Sequence, residues 1–130
     1  KIYHNTVINT GQRNAAFYVG HEAHDTYWRN NILERGFNVN YANRALNESD
    51  NIQPSASERD DLFSAPSSGD LSLAEGDTVI EQILTDTAVA HDFCGYPRGE
   101  TADLGAIEYS TQHAGVPCAE IVKQRFDRIP

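Results

Sequence analysis

Apolar positions in the first third of the chain fall in short, strand-like clusters, and two of these clusters superimpose. Ile2-Tyr3-His4-Asn5-Thr6-Val7-Ile8 aligns with Tyr27-Trp28-Arg29-Asn30-Asn31-Ile32-Leu33 at an offset of twenty-five. The shared pattern is apolar, two variable positions, Asn, polar, then a β-branched apolar residue, and Gly11 and Gly36 follow at the same register, where a turn leaves the strand. A unit of this size cannot bury an apolar face alone, so the pattern predicts stacked coils with Ile2, Val7, Tyr27 and Ile32 inward. Asn5 is then expected above Asn30 at a bend, each amide bonding the next backbone and its counterpart along the stack. All ten asparagines lie at or before Asn51, as a turn-rich stacked segment requires.

After Asn51 the pattern changes to Ser, Asp, Gly and Pro punctuation. Asp61-Leu62-Phe63 and Asp70-Leu71-Ser72-Leu73 read as short strands, the second with strict alternation. Residues 76–87 carry Val79, Ile80, Ile83 and Leu84 at spacings that fit a short helix or a strand equally. Following Pro117, the segment 118–129 places Ile121, Val122, Arg125 and Phe126 at helical spacing, which predicts one terminal helix. The chain thus divides into stacked coils over 1–53, a last coil and cap with short strands over 54–109, and a tail with a helix over 110–130.

Composition narrows the classes. With 130 residues, 39% of them hydrophobic, the chain is the size of one domain with one core, and no apolar run approaches a membrane span. A net charge of -9 argues against nucleic acid, whose phosphates call for clustered Lys and Arg. The charge is uneven: residues 1–47 carry Lys1, Arg13, Arg29, Arg35 and Arg44 against Glu22, Asp25 and Glu34, while residues 48–109 hold fourteen acids against Arg59 and Arg98. An anionic ligand therefore favours the front. The chain begins at Lys1 without a leader-like pattern, which reads as a piece of a longer protein. Cys94 and Cys118 suit either a bridge in an oxidising compartment or two reduced thiols.

Together the two copies and the closing runs Asp92-Phe93-Cys94-Gly95-Tyr96-Pro97-Arg98 and Asp103-Leu104-Gly105-Ala106-Ile107-Glu108-Tyr109 resemble the C-terminal end of secreted bacterial right-handed parallel β-helix proteins, the pectin lyase-like superfamily. Leu104 and Ile107 depart conservatively from that pattern, and the resemblance covers about residues 1–109. It implies an all-β fold: the final coils of a right-handed parallel β-helix, a Gly/Pro-rich C-terminal cap and a short terminal helix, with upstream β-helix coils expected in the same protein. It further implies a secreted or cell-surface location, periplasmic or extracellular. Members include polysaccharide lyases and glycoside hydrolases as well as non-catalytic scaffolds and adhesins, so fold does not settle function.

The offset places Tyr3 over Trp28 and His4 over Arg29, an aromatic ladder beside a basic one, suited to sugar rings and their carboxylates. Tyr3, His4, Trp28 and Arg29 are the candidate substrate-binding residues. For β-elimination on an anionic, uronate-containing polysaccharide, Arg29 supplies carboxylate neutralisation and His24 and Tyr27 the proton transfers. Hydrolysis needs two facing carboxyls, which Glu22, Asp25 and Glu34 serve less well. The alternative is a glycan-binding or scaffolding surface protein without catalysis. Asn5, Asn30, Arg98 and Asp103 are assigned structural roles, Arg98 pairing with an acid to tie down the last coil. His21-Glu22-Ala23-His24-Asp25 lacks a zinc-protease spacing, and the acids from Asp60 to Asp86 match no Ca²⁺ loop, so neither a metal site nor a cofactor is assigned.

Overall fold

A computed structural model describes residues 1–8, 17–19, 26–39, 47–76, 78–85 and 87–110. The segments with His21 and His24, Gly11, Cys118 and the expected terminal helix lie outside the described residues. Strands β1 (Ile2–Tyr3), β2 (Thr6–Val7), β3 (Phe17–Val19), β4 (Tyr27–Arg29), β5 (Ile32–Leu33), β6 (Phe37–Val39) and β7 (Asn47–Ser49) pair in parallel as β1-β4-β7, β2-β5 and β3-β6. A parallel bridge joins Ile32 to Ile52. Helix α1 (Ala56–Leu62) follows, then β8 (Phe63–Ala65), a 3-10 turn, β9 (Asp70–Leu73), β10 (Ile83–Leu84), a second 3-10 turn and β11 (Thr101–Ala102). Strands β8 and β9 pair antiparallel, as do β10 and β11.

This architecture corrects the expected all-β right-handed parallel β-helix with its cap. The strands lie in small separate sheets, three parallel and two antiparallel, beside a helix, and among the described residues no closed or continuous solenoid is present. The departure has a local cause after Pro54. Ser55 Oγ accepts from Glu58 N at 3.3 Å and Ser55 N donates to Glu58 Oε2 at 2.7 Å, a capping box that starts a helix where strands were expected. Leu62, read as the middle of a short strand, instead ends α1, and the strand begins at Phe63.

The register also differs from the expected one. Ile2 pairs with Trp28 and Tyr3 with Arg29, an offset of 26 rather than twenty-five, and Arg29 pairs with Ser49 an offset of 20 further on. The reason is a bend shared by three segments. His4, Asn30 and Asp50 adopt φ of 51°, 61° and 56°, the left-handed region that Asn, Asp and His enter most readily among residues with a side chain. Equivalence therefore runs His4, Asn30, Asp50 and then Asn5, Asn31, Asn51. A shift of one residue exchanges the two faces of a strand, so Trp28 and not Tyr27 turns inward.

The core gathers Ile32, Leu62, Phe63, Leu73, Val79 and Leu104, with Ile8, Ile52, Leu71, Ile80, Ile83 and Tyr109 packed against it. Trp28 is buried in edge-on contact with Phe17, ring centroids 5.3 Å apart. Gly105, at φ 84°, is the point of closest approach between the closing segment and the parallel strands. A Cβ there would lie 2.5 Å from Thr6 Oγ1 and 2.8 Å from Ile32 Cδ1, so only glycine fits.

Candidate functional site

Three strands place six side chains on one face. Tyr27 and Arg29 flank the inward Trp28 and so lie on the side opposite it, and Lys1 and Tyr3 likewise flank its partner Ile2. The register sets Asn47 beside Tyr27 and Ser49 beside Arg29, while Glu48, in register with Trp28, is exposed. Lys1, Arg29 and Asn47 are exposed, and Tyr3, Tyr27 and Ser49 are half-buried. Lys1 Nζ lies 5.7 Å from the Tyr3 ring centroid and Arg29 Cζ lies 5.7 Å from that of Tyr27. Tyr3 is at the same time the cross-strand partner of Arg29, about 4.8 Å away. The result is a crossed array in which each ring neighbours a cation along its strand and Tyr3 also neighbours Arg29 across the strands.

This array replaces the two ladders read from the sequence. Of the candidate substrate-binding residues, Tyr3 and Arg29 meet on the outer face. Trp28 is 1% exposed and His4 is buried, its Nε2 3.1 Å from Asn30 Nδ2, so neither reaches that face. Of the residues considered for elimination, Tyr27 and Arg29 are in contact and His24 lies outside the described residues. Flat rings with adjacent cations hold a sugar by stacking and its acidic group by charge.

A ladder of amides, fully buried at Asn31 and half-buried at Asn5 and Asn51, follows the bend that ends these strands. Asn5 N and Nδ2 donate to Asn31 Oδ1 at 2.9 and 3.0 Å, and Asn31 N and Nδ2 donate to Asn51 Oδ1 at 3.1 and 2.7 Å. The remaining amide hydrogens of Asn5, Asn31 and Asn51 reach the carbonyls of Tyr3, Ile2 and Trp28. Asn30 thus pairs with His4, one position before the ladder in which Asn31 stands. The third segment was missed because Asn47-Glu48-Ser49 is too polar to read as a strand. Its signal was present, however, in the match of Asp50-Asn51-Ile52 to Asn30-Asn31-Ile32.

Arg98 and Asp103 belong to a second buried cluster, away from the array. The Arg98 guanidinium pairs with Glu108 and donates to the carbonyls of Asp103 and Gly105 at 3.2 and 3.1 Å. Asp103 accepts from the Glu81 and Tyr109 amides, and Asp92 accepts from Tyr96 N at 2.7 Å and Glu108 N at 3.1 Å. Burial pushes the Asp92 carboxyl above its ordinary 3.8, against the opposing pull of the Tyr96 amide, of Arg98 and of the Gly95 and Cys94 amides. Above pH 3.8 the unfolded chain has lost this proton while the folded chain keeps it, so Asp92 makes stability fall as pH rises from 3.8 through the raised value. We expect the Asp92 carboxyl carbon to titrate above 3.8 by NMR; a midpoint at or below that value contradicts the assignment.

Among the described residues no group of three or more His, Cys, Asp or Glu is placed to hold a metal ion, and no helix is long and apolar enough to cross a membrane. Cys94 is buried and disulfide-bonded. Comparison of the chain with protein-family models, with curated proteins and with solved structures returns no match.

Proposed function

We propose that the chain binds an anionic, uronate-containing polysaccharide along the outer face of β1, β4 and β7, as part of a secreted carbohydrate-active protein. The observation that supports this is the crossed pair of tyrosines and cations, Lys1 with Tyr3 and Arg29 with Tyr27, on adjacent strands. The basic front of an otherwise acidic chain and the disulfide at Cys94, which suits an oxidising compartment, agree with it. Binding is favoured over elimination because Lys1, Arg29 and Asn47 of the array are exposed, whereas elimination needs an acid and a base converging on one carbon from an enclosing site.

The test is titration of polygalacturonate, alginate and a neutral dextran into the protein at two salt concentrations. We expect binding of the acidic polymers alone, weakened by salt, and a loss of about fivefold to tenfold on Arg29→Ala or Tyr27→Ala. Equal binding of dextran, or no change in either variant, overturns the reading. Growth of the ultraviolet band of an unsaturated uronate during the same titration moves the assignment from binding to elimination.

A further inference from the structure

On another part of the molecule two adjoining hollows, of about 320 and 310 Å³, share Ile52, Thr78 and Val79 and together make one open groove. Its apolar lining comes from Ile52, Pro54, Leu62, Val79, Ile83 and Leu104, contributed by chain segments far apart in sequence. Because Leu62, Val79 and Leu104 are themselves core residues, the groove is set in place by the packing that holds the fold. Its charged lining among the described residues is one-signed: Glu58 and Asp61 stand in one hollow and Asp50 in the other, with no cation among them.

Two details make this charge available to a ligand. Arg59, the nearest cation in sequence, is engaged with Glu34 at 3.2 Å and Asp60 at 2.6 Å and takes no part in the lining. The Asp50 and Asp61 side chains are exposed and, among the described residues, make no hydrogen bond or ion pair, while Glu58 is partly used in capping α1. An apolar floor with carboxylates at both ends fits a chain that alternates apolar and cationic groups.

We propose that this groove docks a basic peptide segment, an aliphatic side chain seated over Ile52 and Val79 and lysine or arginine on either side of it meeting Asp61 and Asp50. A peptide is favoured over a simple polyamine because the floor is apolar and offers an anchor that charge alone does not use. The occupant is independent of the polysaccharide, which the charge of this groove repels.

The full chain is titrated with a fluorescently labelled peptide of alternating lysine and leucine, a lysine–serine peptide of the same length, and spermidine as competitor. We expect the lysine–leucine peptide to bind, the lysine–serine peptide to bind at least tenfold more weakly, and Asp50→Asn with Asp61→Asn to weaken binding about fivefold. Both substitutions are at exposed sites, and an unchanged thermal unfolding midpoint verifies the fold. Equal binding of the two peptides, displacement by equimolar spermidine, or indifference to the double substitution overturns the proposal, as does failure of the lysine–leucine peptide to bind.

Discussion

Replacing Asn31 with alanine is expected to lower the unfolding free energy by about 3–4 kcal/mol, from four lost hydrogen bonds of a fully buried side chain to half-buried partners. Asn31 is fully buried, and its amide accepts from Asn5 N and Nδ2 while donating to Ile2 O and Asn51 Oδ1. Truncation leaves the Ile2 carbonyl without this donor and the Asn5 backbone amide without its acceptor, both on half-buried residues. Asn5→Ala at the end of the ladder deletes fewer partners and is expected to cost about 1 kcal/mol. Urea unfolding of both variants decides the matter. Equal losses would mean that the ladder has no interior, and that its amides act as separate bends.

Arg98→Met is expected to cost a similar amount, about 3–5 kcal/mol, by leaving a half-buried carboxylate and two buried carbonyls without their donor. Among the described residues the guanidinium is the one cation of its cluster, and it faces Glu108 and the carbonyls of Asp103 and Gly105, with Asp92 close enough for its charge to be felt. Adding Glu108→Gln to Arg98→Met should recover part of the loss, because the stranded charge is then gone. Arg59→Met is the comparison: its pair with the exposed Asp60 contributes at most about 1 kcal/mol, so a larger loss there measures the buried Glu34 carboxylate left without its cation. A double variant no more stable than Arg98→Met alone would show that Arg98 acts by packing and not by charge.

Much of the local chemistry was readable before any coordinates. The related segments around residues 2–8 and 27–33, the asparagine-rich bends and the strand at Asp70–Leu73 follow from alternation and turn residues. The register did not follow, because Asn30 and Asn31 are adjacent and either one aligns with Asn5. Choosing Asn30 gave Tyr3 over Trp28, and that choice turned an inward tryptophan into a surface residue. The backbone resolves the ambiguity: one residue per segment must enter the left-handed region, and His4, Asn30 and Asp50 do so. The helix at Ala56–Leu62 is legible too, as Ser55 followed three positions later by Glu58, although the Pro and Ser punctuation around it favours turns.

By itself, the amino-acid sequence determined the parts that depend on neighbours along the chain: where apolar residues alternate, where short polar side chains turn the backbone, and where acid and base accumulate. Only the tertiary structure decided which positions meet across strands, because pairing is set by the shared bend and by burial of Trp28 and Ile32 rather than by any single segment's pattern. The crossed tyrosine–cation array exists through that register alone. The acidic groove likewise exists only where residues 50–54, 58–62, 78–83 and 104 converge, since packing around one core brings together carboxylates that the sequence disperses.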